Sequence, residues 1–100
     1  MKVASKRRSK LDLYFEILQS INEGNNKVTY IMKEVNIAWT PLKDILYSLQ
    51  QHNIIEVVDA VQFKDKRTSV HYNLTTKGLN VYKYLRNTKN NINEILSMLS

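Results

Sequence analysis

Apolar positions along this chain recur with two different periods, and the switches between them mark its elements. Tyr14, Ile17, Leu18 and Ile21 follow at i, i+3, i+4 and i+7, the spacing that places side chains on one face of an α-helix. Ser9 stands just ahead, with Asp12 three residues on, so each side chain can satisfy the other's backbone N–H at a helix start. A first helix over 10–22 is predicted, ended by Gly24, a residue that accepts left-handed backbone. The run "NNKV" reads as a loop with room for a short strand at Lys27–Val28. Thr29 is the expected cap of a second helix, 30–35, with Ile31, Met32 and Val35 inward. Asn36-Ile37-Ala38 then makes a tight turn, with Ile37 plugged into the core. Leu42, Ile45, Leu46 and Leu49 mark a third helix over 41–52, with Thr40 as N-cap, Pro41 at its first position and Asn53 as its stop.

After Asn53 the period changes. "IIEVVDAVQF" is rich in β-branched residues, and "SVHYNL" alternates so that Val70, Tyr72 and Leu74 share one face. "KDKR" between them is a polar hairpin tip. Thr75 opens a last helix with Gly78 in its first turn, and Leu85, Ile92, Ile95 and Leu99 recur along it. Helix, helix, turn, helix, two-stranded hairpin, helix is the order of a winged helix-turn-helix, an α+β, mainly α fold. A three-helix bundle leaves the strands at 54–74 without a role. The expected organisation is a basic flexible arm at 1–8, a winged helix-turn-helix domain at 9–75 and a C-terminal dimerisation helix at 76–100.

Composition narrows the function. One hundred residues make one domain, and 43% hydrophobic with 24% charged residues is ordinary for a soluble one. No apolar run reaches bilayer length and no signal-type segment follows Met1, so a cytoplasmic, nucleoid-associated protein with no membrane role is expected. The absence of Cys removes disulfides, thiolate metal sites and thiol catalysis. His52 and His71 are far apart and lack ligand-like neighbours. With no Gly-rich phosphate loop, activated nucleophile or paired carboxylates, neither an enzyme nor a cofactor is expected, and no small-molecule ligand is evident.

Charge then points to a polyanion. Fifteen Lys and Arg against nine Asp and Glu give a net +6, and the cations cluster. Lys6, Arg7 and Arg8 lie in an arm free of anions, and Lys64, Lys66 and Arg67 sit at the hairpin tip. On the third helix, Thr40, Lys43, Asp44, Tyr47, Ser48 and Gln51 form the polar face. In a winged helix this face enters the major groove, where Lys can reach phosphate or guanine and Gln can pair with adenine. Trp39 reads either as a wedge against nucleic acid or as a packing residue across the turn, and a lone aromatic at this point reads first as packing. The expected partner is double-stranded DNA, held by the third helix in the major groove with arm and tip on phosphates or in the minor groove. The competing reading is a winged-helix module that binds another protein.

The run "YNLTTKGL" resembles a signature of many archaeal and bacterial winged-helix regulators. Together, "RRSKLDLYFEIL", "TYIMKEVNIAW", "LKDILYSLQQHNIIE" and "LTTKG" resemble the archaeal ten-kilodalton winged-helix DNA-binding family over residues 7–85. That family tends to open its third helix with Ser and an aromatic. Here Ala38-Trp39 keeps only the aromatic, so the capping role is expected to pass to Thr40-Pro41. The resemblance implies that the long last helix pairs with a second subunit's as an antiparallel coiled coil. The apolar stripe agrees: Val81, Leu85, Ile92, Ile95 and Leu99 recur at a/d-like spacing. Beyond about Arg86 the helix outruns the core of so small a domain, so Ile92, Ile95, Leu96 and Leu99 need a partner and point to a homodimer.

Overall fold

The computed structural model describes residues 9–62 and 68–99, with elements in the order α1 (Lys10–Asn22), α2 (Val28–Val35), α3 (Trp39–Gln51), β1 (Ile55–Gln62), β2 (Thr68–Leu74) and α4 (Thr76–Leu99). This is the winged helix-turn-helix order that the apolar pattern predicts. α1 starts as expected. Ser9 Oγ accepts from Asp12 N–H at 3.0 Å, and Asp12 Oδ2 accepts from Ser9 N–H at 3.2 Å. Beyond its end Gly24 takes φ +96°.

Two helix starts differ from expectation. α2 begins at Val28 behind Lys27 as N-cap, with no side-chain cap, rather than behind Thr29. The reason is tertiary: Lys27 bridges to His71, and that pairing holds its backbone extended until the helix begins. The short strand expected near Lys27 is thus a single bridge. It is flanked by Tyr72 N–H donating to Asn26 O at 3.0 Å and Asn26 Nδ2 donating to Tyr72 O at 2.9 Å. α3 begins at Trp39 with Ala38 as an uncapped N-cap, so Thr40 lies inside the first turn and Pro41 at its third position. Proline is tolerated there because the helix's own bonds begin one residue later, with Leu42 N–H donating to Ala38 O at 3.2 Å. At the other end Asn53 adopts φ +60°, as expected of the residue that stops α3.

β1 and β2 form one antiparallel hairpin whose register runs from Ile55↔Leu74 to Gln62↔Thr68. The register slips between Val57 and Asp59, a bulge that adds twist to the wing. The core sits between the helices and the base of the hairpin, built from Phe15, Ile17, Leu18 and Ile21 of α1, Ile31 and Val35 of α2, Leu42, Leu46 and Leu49 of α3, Ile55, Tyr72 and Tyr82. Ile37 packs against it, as expected. Phe15 lies off the main apolar stripe of α1. It is buried because α4 returns over α1 and stacks Tyr82 on it, ring centroids 5.5 Å apart. Lys89 of α4 reaches across the same seam, its Nζ 2.7 Å from Asp12 Oδ1 and 5.3 Å from the Phe15 ring centroid.

Candidate nucleic-acid interface

α3 is amphipathic by construction. Leu42, Leu46 and Leu49 are 0%, 2% and 5% exposed, so one face is fixed in the core. At 3.6 residues per turn, Thr40, Asp44, Tyr47 and Gln51 project from the opposite face within about 60° of each other. All four are exposed, and Lys43 is exposed on the flank of that face. Ser48 differs, being half-buried on the other flank. The structure therefore brings five of the six α3 residues named from sequence onto one accessible surface and places the sixth at its edge.

Two aromatic side chains enlarge this surface. Tyr47 is 64% exposed. Trp39 is 46% exposed, which overturns its expected role as a packing residue. The physical reason is the helix start: with Ala38 as N-cap, Trp39 becomes the first helical residue, one turn before Lys43 and beside it, rather than part of the turn that plugs the core. Counting the helix from Ala38 is the sequence signal that finds it. On α2, Tyr30 is 49% exposed, with Lys27 Nζ 5.6 Å from its ring centroid. Tyr30 does not stand among the contacts named from sequence, and Trp39 stands there only in the second of its two readings, as a wedge against nucleic acid.

The first turn of α3 also carries backbone N–H groups that the side chain of its N-cap, Ala38, cannot cap, so it presents a positive dipole end next to Thr40. Lys6, Arg7, Arg8, Lys64, Lys66 and Arg67 lie outside the described residues. The last three fall between Gln62 and Thr68, which pair to close the hairpin.

Along α4, Val81 and Leu85 are half-buried against the chain's own core, whereas Ile92, Ile95, Leu96 and Leu99 are exposed, Leu99 by 79%. A groove of about 350 Å³ runs between the start of α1 and this part of α4, with Leu11, Leu85 and Ile92 as its apolar lining. Asp12 on its rim has its carboxyl held at a pKa of about 2, below the usual 3.8, first by the Lys89 hydrogen bond and then by the bonds from Ser9. Among the described residues there is no His, Asp and Glu cluster able to hold a metal ion, and no helix long and apolar enough to cross a membrane.

Known proteins place this geometry. The family model described as "Winged helix-turn-helix" matches residues 7–93. A PadR-like transcription factor from Bacteroides fragilis superposes with a TM-score of 0.75 at 16% identity, over 88% of this chain and 89% of that one. A Streptococcus transcriptional regulator gives 0.76 at 12% identity, over 90% and 93%. Sso10a-2, a DNA-binding protein from Sulfolobus solfataricus, gives 0.69 at 16% identity, over 91% and 88%. At such identities these likenesses show a shared fold and leave the narrower archaeal family undecided. No curated protein sequence matches the chain. With α1, the helix-turn-helix, the wing and most of α4 inside the matched region, the chain belongs to the winged helix-turn-helix family.

Proposed function

We propose that this chain is a DNA-binding protein, a transcription regulator or chromatin-type binder, that works as a homodimer and inserts α3 into the major groove. The observation that carries the reading is the accessible α3 face, Thr40, Lys43, Asp44, Tyr47 and Gln51 opposite a fully buried leucine stripe, in a chain of net charge +6. Lys43 suits phosphate or guanine, and Gln51 suits adenine. Thr40, the uncapped N–H groups beside it and Ser48 at the edge suit phosphate oxygens. Asp44 suits the amino group of cytosine. Trp39 joins this face beside Lys43.

The arm at 1–8, with Lys6, Arg7 and Arg8, and the tip, with Lys64, Lys66 and Arg67, supply phosphate or minor-groove contacts in this reading. Residues 9–75 are the reading domain and 76–100 the dimer helix. Ile92, Ile95, Leu96 and Leu99 meet a second copy, with Val81 and Leu85 carrying the same stripe back into the domain. A solved neighbour described as a DNA-binding protein and two described as transcription regulators support the reading.

The exposed rings of Trp39 and Tyr47 favour one alternative, a protein-binding α3 face. Reversing the charge of Lys43, Lys66 and Arg67 together separates the two. Duplex DNA binding is expected to disappear while the fold persists. Retained duplex binding would overturn the proposed contacts, and captured protein partners unaffected by the reversal would favour the alternative.

A further inference from the structure

The run Thr75-Thr76-Lys77-Gly78 does more than begin α4. Three successive carbonyls leave the end of α3, those of His52, Asn53 and Ile54, and each is taken by a group from this run. Lys77 Nζ donates to His52 O at 2.9 Å. Thr75 Oγ1 donates to Asn53 O, and Thr75 N–H donates to Ile54 O at 3.1 Å. The same Thr75 hydroxyl accepts from Gly78 N–H at 2.9 Å, so it caps α4 while it holds the exit of α3. Gly78 makes the approach possible, because a Cβ there would lie 1.9 Å from Ile54 O. The Lys77 ammonium also stands at the negative end of the α3 dipole.

These contacts join two helices that otherwise pack on different neighbours. α4 lies chiefly on α1 and β2, and α3 packs on β1. We infer that Thr75, Lys77 and Gly78 form a clamp that sets the angle between α3 and α4. Lys77 is thus a positioning residue for DNA recognition rather than a phosphate contact. The inference rests on the proposed DNA-binding role of α3. In a dimer joined through α4, the clamp on each chain fixes how the two α3 helices face the duplex. A loosened clamp leaves the cations of α3, the arm and the hairpin tip in place, so general attraction to DNA survives while the fit of the two helices is lost.

Lys77→Met removes the bond to His52 O and the charge while keeping an unbranched side chain, and Lys77→Arg restores both. A duplex selected from a random pool against the unaltered protein serves as the probe, titrated at several salt concentrations. Lys77→Met is expected to weaken binding about tenfold, equivalent to 1.4 kcal/mol, with Lys77→Arg close to the unaltered protein. The slope of log affinity against log salt stays unchanged. A slope shallower by about 0.9 would mark Lys77 as a direct phosphate contact and overturn the inference. Unchanged affinity in a folded Lys77→Met protein would overturn it too.

A second readout needs no DNA. The chain has no Cys, so Gln51→Cys with Lys83→Cys gives two clean spin-label sites, one on α3 and one on α4. The distance distribution in chains diluted with unlabelled protein is expected to broaden when Lys77→Met is added. An unchanged distribution refutes the clamp. Failure of the unaltered protein to bind any duplex sinks the DNA reading as well, whereas normal duplex binding with an indifferent Lys77→Met sinks the clamp alone.

Discussion

Gly78→Ala puts one methyl group where the structure has no room. The added Cβ would lie 1.9 Å from Ile54 O, against an ordinary carbon–oxygen contact of about 3.3 Å, so α4 and the start of β1 must part by about 1.4 Å. That movement stretches the Thr75 N–H bond to Ile54 O and disturbs the two bonds of the Thr75 hydroxyl. Losing two such bonds costs about 2 kcal/mol, and the overpacking itself about 1–3 kcal/mol. Alanine's better helix propensity returns about 1 kcal/mol. The expected net loss is about 2–4 kcal/mol, or a fall in Tm of roughly 10–20 °C for a chain of this size. Thermal unfolding followed by far-UV circular dichroism measures it, at one fixed protein concentration because a dimer's Tm depends on concentration. An alanine variant as stable as the parent would refute the close approach, and with it the account of why glycine stands here.

Three further outcomes are expected. Asp12→Asn destabilises the protein at neutral pH; because the folded-state pKa of Asp12 lies below 3.8, its contribution is present above about pH 4 and lost as pH falls through about 2. Urea unfolding of both proteins should show the difference shrinking across that window, and a difference that grows there would contradict the Lys89–Asp12 pairing. Ile95→Glu with Leu99→Glu should reduce the solution mass from twice the 11.8 kDa chain mass to once, by sedimentation or light scattering; an unchanged mass would refute pairing through this stripe. Trp39 is the chain's only Trp, so quenching of its fluorescence by added duplex reports directly on the first turn of α3, and an unmoved spectrum at saturating DNA would remove Trp39 from the interface.

Most of the fold was legible because local and tertiary preferences agree. The Ser9–Asp12 box, the leucine spacing of α3 and the β-branched wing each point to the element that forms. The exceptions arise where distant contacts decide. α2 starts at Val28 because Lys27 pairs with His71, and no reading of "KVTY" alone contains that bridge. Phe15 is buried only because Tyr82 comes back over it. The start of α3 was misplaced because Thr-Pro is a strong start signal, yet the turn after Asn36, at φ +56°, already brings Ala38 into the N-cap position. That shift by two residues puts Trp39 in the first turn of the helix rather than in the turn before it. The face from Lys43 to Gln51 was legible nonetheless, since the buried stripe fixes it wherever the helix begins. What "LTTKG" does for the end of α3 was not legible, because its partners are backbone carbonyls more than twenty residues away in sequence.

In the proposed reading this chain holds duplex DNA through α3 and clustered cations. Titrating the 100-residue chain against a mixed-sequence duplex at two salt concentrations is the sharpest test. Binding is expected at low salt and weakens steeply as salt rises, with a log–log slope of about −3 or steeper from several phosphate contacts. No binding at low salt would contradict it.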